Sequence, residues 1–245
     1  MHSSSPLAFI TGASGGIGGS ISLRLASLGY DVVLHYCQNR DSVEQLKATI
    51  EDKYGQSCTL LQADFRHTSE TLEKINHLNL QPEVIVHNSG SGQTTLFQDV
   101  GTSELTSQIS INLTTPSLIT KMFLPKMLSM KRGHIIMITS IWGLTGASCE
   151  VTYSMVKGGQ NSFVKALAKE VAPSGLQVNG IAPGAIDTEM LAHYSSEDIR
   201  LLKEDIPAGR LGSTREIAGT VAFLLSEDAR YINGQIISVN GAWYC

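Results

Sequence analysis

The sequence predicts one α/β domain, built as a doubly wound, mainly parallel sheet of seven strands with helices on both faces. Three observations predict it. Short β-branched or aliphatic runs alternate along the whole chain with longer stretches of helical period. The most apolar run, Ile135-Ile136-Met137-Ile138, is continuous, as a strand buried on both faces should be. A glycine-rich turn directly follows the first run, between an apolar strand and an amphipathic stretch.

Taken in order, Leu7 to Ile10 reads as the first strand and 16–28 as the helix it feeds. Asp31 to Tyr36 is the second strand, followed by a helix near 41–54; Thr59 to Gln62 is the third, followed by a helix near 69–77. Val84 to His87 is the fourth strand. The helical stretch 103–130 contains Pro116 and Pro125, which should kink or split it. Ile135 to Thr139 is the fifth strand, 151–172 a long helix, and Gln177 to Ala182 the sixth strand. The segment 185–212, with Pro207 and Gly209, is the least regular and is the candidate substrate lid. A helix over 214–226 and a strand from Ile236 to Val239 close the series, and right-handed crossovers between parallel strands place helices on both faces.

With 245 residues and 42% hydrophobic content, the chain can fill one large core, so residues 1–245 are read as a single domain. A formal net charge of -4 and a pI near 6.0 argue against nucleic acid or an anionic membrane surface as partner. No apolar run approaches the roughly 20 residues of a membrane span, and Met1 to Pro6 carries no Lys or Arg, so a cytoplasmic location is expected. Cys37, Cys58, Cys149 and Cys245 form no CxxC pair, and the seven histidines show no HExxH spacing. Neither a disulfide framework nor a metal site is expected.

The chemistry begins at Thr11-Gly12-Ala13-Ser14-Gly15-Gly16-Ile17-Gly18. Glycines there permit a tight turn and let the N–H groups of a helix N-terminus approach a pyrophosphate, which the helix dipole also favours. Tyr153 and Lys157 stand one helical turn apart and share a face. A phenol ordinarily titrates near 10, and a neighbouring ammonium is the simplest way to bring it toward neutral pH.

The GxxxGxG spacing resembles that of the short-chain dehydrogenase/reductase family, a Rossmann-type fold. Further motifs carry the resemblance in the family's order: His87-Asn88-Ser89-Gly90 where relatives have Asn-Asn-Ala-Gly, Ser140 after the fifth strand, Tyr153-Ser154-Met155-Val156-Lys157 as its YxxxK, and Pro183-Gly184-Ala185-Ile186-Asp187-Thr188 as its PGxIxT. The resemblance implies reduction of a ketone to a secondary alcohol. Tyr153 would donate the proton and Ser140 hydrogen-bond the carbonyl oxygen. Lys157 would lower the Tyr153 pKa and hold the nicotinamide ribose, and Asn112 would continue a proton relay. It also assigns the dinucleotide to Gly12, Ser14, Gly15, Gly16, Ile17 and Gly18, with Asp64 and Phe65 at the adenine and Asn88 and Gly90 along its ribose. Pro183, Gly184, Ile186 and Thr188 would frame the nicotinamide.

At the end of the second strand, NAD-selecting members of this fold place an acid. Tyr36 stands there with Arg40 following, which favours NADPH over NADH, whereas Gly15 stands where many NADPH-using relatives have an Arg. The stretches Ile206 to Gly212 and Gln235 to Gly241 look like those of bacterial 3-oxoacyl-acyl-carrier-protein reductases, which implies a homotetramer with Trp243 near a subunit contact. Lys131 and Arg132 would supply one basic loop for an acyl carrier protein, but Ser174 stands where a second positive charge is expected. Ser148-Cys149-Glu150 also departs from the reductase pattern, and Ile141 to Glu150 looks like the branch that reduces an aminopentanone group on a lysine of elongation factor P. A carboxylate there suits an amine-bearing ketone. From another class, the chain could be a catalytically silent nucleotide-binding regulatory subunit, against which the complete Asn112, Ser140, Tyr153 and Lys157 set speaks.

Overall fold

A computed structural model describes residues 5–245 except 93 and 193. Seven strands form one sheet in the order β3-β2-β1-β4-β5-β6-β7, with every neighbouring pair parallel. They are β1 (Leu7–Ile10), β2 (Asp31–Tyr36), β3 (Cys58–Gln62), β4 (Val84–His87), β5 (Gly133–Ile138), β6 (Leu176–Pro183) and β7 (Ile236–Val239). The helices between them are α1 (Gly16–Ser27), α2 (Arg40–Tyr54), α3 (Thr68–His77), α4 (Thr102–Ile109), α5 (Thr115–Met130), the short α6 (Trp142–Thr145), α7 (Val151–Val171), α8 (Ser196–Asp205) and α9 (Thr214–Leu224).

Alternating strand residues feed two cores. Ile10, Leu34 and Val86 face one layer of helices, and Phe9, Val33 and Ile85 face the other. Each such side chain is fully buried or nearly so and contributes about 2 kcal/mol of transfer free energy. The strand order reverses between β1 and β4, the switch point at whose carboxyl ends doubly wound sheets carry their ligand crevice. None of the helices among the described residues is long and apolar enough to cross a membrane.

Two expectations change. The stretch 103–130 does divide, but through a π turn at Ser110–Thr114. Pro116 sits harmlessly in the first turn of α5, and Pro125 lies inside that helix. Lacking an N–H, Pro116 cannot serve the Asn112 carbonyl four residues back, and Gln160 Nε2 donates to that carbonyl instead, at 2.7 Å. The candidate lid is also partly regular. It contains α8, started by a capping box between Ser195 and Asp198.

Candidate active site

The crevice is floored by the first glycine-rich turn. Gly12 adopts φ +67°, and its carbonyl and that of Thr11 each accept from Asn88 Nδ2 at 3.1 Å. Thr11 Oγ1 accepts from the N–H groups of Asn88 and Ser89, both at 2.9 Å. The loops after β1 and β4 are therefore stitched together. A methyl group at Gly18 would lie 2.1 Å from the Gly12 carbonyl oxygen, so only glycine lets α1 start this close to its strand.

The N-cap Gly15 offers no side-chain hydrogen bond, and the first turn of α1 holds no acid, leaving its N–H groups and dipole available to an anion. This fits a dinucleotide pyrophosphate. Thr188 closes over the turn, 3.2 Å from where a Gly16 methyl would stand. Its loop is held by an isolated bridge between Ile186 and Gly212, while the Gly184 N–H donates to Val239 at 3.0 Å. Ser14 accepts at its carbonyl from Ser42 Oγ at 3.2 Å, and Ile17 packs on the core.

At the far end of the crevice, Asp64 is clasped by Arg66 through Nε at 3.0 and 2.9 Å, and this pairing holds its carboxyl below the usual range. Phe65 is buried. The Tyr36 side chain joins the apolar core, so the strand end presents the exposed Cys37 rather than a phenol. Arg40 reaches solvent but is paired with Glu44 at 2.7 Å. Arg66, which sequence reasoning passed over, is the second guanidinium at this end, since it pairs with Asp64 just beyond β3, the strand beside β2. Its signal was its position two residues after the candidate adenine-binding Asp64.

The chemical groups converge where β5 meets α7. Ser140 is close enough to Tyr153 to pull its titration down, and Ser140 Oγ accepts from the Trp142 N–H at 3.1 Å, which leaves its hydroxyl proton available to a nearby oxygen. Lys157 Nζ donates to the Ile138 carbonyl at 2.9 Å and lies 5.5 Å from the centre of the Tyr153 ring. A methyl at Gly90 would stand 2.8 Å from Asn112 Oδ1 and 3.2 Å from Lys157 Nζ, so this glycine keeps open the space the two share. Asn112 is fully buried. Its Nδ2 donates to the Gln108 carbonyl and to Gln108 Oε1, both at 3.0 Å, while its Oδ1 has no protein partner.

The electrostatics correct one expectation. Part of Tyr153 reaches the surface, yet burial pushes its hydroxyl up to about 12, with the Ser140 bond pulling down and the Glu150 carboxylate pushing further up. Lys157, deeply buried, is pushed down to about 7. Lys157 is not among the influences on the phenol, and burial is the largest influence on each of the two groups. Glu150 is itself raised by burial. Beside Tyr153 lies a cavity of about 80 Å³ whose lining includes Asp99, Glu104, Gln108 and Thr152 and contains no basic residue. Asp99 and Glu104 carried no motif that sequence reasoning could find. Among the described residues no cluster of His, Cys, Asp and Glu is arranged to hold a metal.

Residues 12–243 match the family model described as enoyl-(acyl carrier protein) reductase. The chain is 46% identical to an uncharacterized oxidoreductase, YmfI, of Bacillus subtilis (strain 168), covering 97% of this chain and 98% of that one. It is 36% identical to the 3-oxoacyl-(acyl-carrier-protein) reductase FabG of Aquifex aeolicus (strain VF5), covering 97% of each. The crystal structure of YwfH, an NADPH dependent reductase involved in bacilysin biosynthesis, superposes with a TM-score of 0.89 at 27% identity, covering 98% of this chain and 99% of that one.

Proposed function

Because the chain belongs to the short-chain dehydrogenase/reductase family of oxidoreductases, we propose that it reduces a ketone to a secondary alcohol with NADPH. The observation that carries this reading is Lys157 Nζ held by the Ile138 carbonyl over the Tyr153 ring, with Ser140 acting on the same phenol. The bound nicotinamide supplies the hydride. Tyr153, a phenol already neutral at physiological pH and raised further by burial, gives its proton to the carbonyl oxygen as negative charge develops there. Ser140 donates to the same oxygen. Lys157 holds the ribose hydroxyls, and with an ammonium near neutrality it can return a proton to Tyr153. Asn112, whose Oδ1 shares the space beside Lys157, extends the relay toward solvent.

NADPH is favoured over NADH by Arg40 and Arg66 and by the lack of an acid at the end of β2. The similar YwfH is NADPH dependent. The remaining assigned residues would hold the cofactor as the family resemblance implies: Gly12, Ser14, Gly15, Gly16, Ile17 and Gly18 at the pyrophosphate, Asp64 and Phe65 at the adenine, Asn88 and Gly90 along the ribose, and Pro183, Gly184, Ile186 and Thr188 at the nicotinamide. Likeness to an acyl-carrier reductase at 36% identity supports a 3-oxoacyl thioester as substrate, and the family resemblance of the sequence implies a homotetramer as the assembly. A second reading, an amine-bearing ketone such as the aminopentanone on elongation factor P, is favoured by a specific observation. The cavity beside Tyr153 is lined by Asp99 and Glu104, and Glu150, between the lining residues Cys149 and Val151, is the charge that acts on the phenol.

The test is NADPH oxidation with a short 3-oxoacyl thioester and with an aminoketone, in wild type, Tyr153→Phe and Glu150→Gln. Tyr153→Phe should lose about 10²- to 10⁴-fold in kcat on either substrate. Undiminished turnover in that variant removes the mechanism. A rise in KM confined to the aminoketone in Glu150→Gln selects the second reading.

A further inference from the structure

We infer that His35, a residue of β2 outside the assigned machinery, is a positioning residue that holds the glycine-rich turn in its dinucleotide-binding shape as a neutral imidazole of one fixed tautomer. The inference rests on the dinucleotide reading above and deepens it. His35 is 2% exposed. The Gly12 N–H donates to its Nδ1 at 3.2 Å. A backbone N–H cannot reverse its role, so Nδ1 carries the lone pair and the ring proton is on Nε2. The opposite side of the ring agrees: Nε2 lies 3.0 Å from the Ala63 carbonyl, which can only accept. With Nδ1 an acceptor, Ser89 Oγ at 3.3 Å is a second donor to it.

One ring thus ties together the turn after β1, the end of β3 and the loop after β4. Its face is stacked on Phe65, with ring centres 4.1 Å apart and planes 19° apart, which links the pyrophosphate turn to the adenine end. The neighbouring main chain adds a clamp, since the Ala13 N–H donates to the His35 carbonyl at 2.9 Å. The titratable groups acting nearby are Asp64 beyond β3 and His87 of β4. Burial keeps the ring neutral, pushing His35 down to about 4 against the pull of the Ala63 bond and Asp64. Gly12, at φ +67°, is where this matters, because a glycine in that region has many other backbone conformations to escape to.

Two measurements test the inference. Long-range ¹H–¹⁵N correlation spectra should show His35 neutral and protonated at Nε2 near pH 6; a ring protonated at Nδ1, or charged at that pH, overturns it. NADPH binding and steady-state rates should then be compared in wild type, His35→Asn and His35→Leu. Asn keeps an acceptor for the Gly12 N–H and should stay within about twofold of wild type. Leu removes the acceptor and should raise Kd and KM for NADPH about fivefold to tenfold with little change in kcat. Unaltered NADPH binding by His35→Leu overturns this proposal alone. Wild type that binds no dinucleotide overturns the reading of the site and this proposal with it.

Discussion

The proposed proton donor and the lysine behind it place opposite demands on burial. Desolvation favours the protonated phenol of Tyr153, the form that the proposed mechanism needs. Lys157 is penalised by the same desolvation, because its charged form loses water and gains only the Ile138 carbonyl. The sign of the resulting pH effect follows. Between about 7 and the ordinary lysine value of 10.5 the unfolded chain binds a proton that the folded one does not, so this residue's contribution to stability rises with pH through that window. Lys157→Met should therefore abolish activity yet melt higher than wild type at pH 7, with the gap narrowing toward pH 10. A gap that does not change with pH in thermal melts would show that Lys157 is charged in the folded protein at pH 10 and below.

At the scale of elements, α1 and the π turn are the two pieces that the site constrains most. Gly18→Ala would push a methyl against the Gly12 carbonyl, which is main chain and cannot swing aside. We expect a loss of about 1–3 kcal/mol in denaturant unfolding and a larger proportional loss of NADPH binding, because the turn itself must shift. Unfolding and binding that both match wild type would show that α1 can move without cost. The π turn matters through Pro116. It frees the Asn112 carbonyl for Gln160 and leaves the Asn112 side chain aimed toward Lys157, so α4 and α5 behave as a broken helix built around one asparagine.

Over the whole molecule, a net charge of -4 gives little attraction for an acidic carrier. Of the two candidate docking cations, Arg132 is already engaged by Glu83. We expect the KM for a 3-oxoacyl thioester on acyl carrier protein to lie within about threefold of that for the same acyl group on a small thiol at physiological salt. A KM far lower on the carrier would reveal a docking surface this charge distribution does not provide. Trp243 packs edge-on against Trp142 with ring centres 5.4 Å apart, so its apolar surface is partly spent within the subunit. Sedimentation equilibrium should still give about four times 26.4 kDa if the proposed tetramer forms.

The sequence by itself determined the seven strands, their alternation with helices, the glycine-rich turn and the spacing of Tyr153 and Lys157, because period, glycine and helical spacing are local properties. It also supplied Ser140 and Asn112, through the order of motifs. What only the tertiary structure decided is what surrounds each of these groups. That Tyr36 turns into the core, that burial raises Tyr153, and that His35 reaches Gly12 all depend on residues distant in the chain. Burial and partnership are sums over such neighbours, and no short window of sequence contains them.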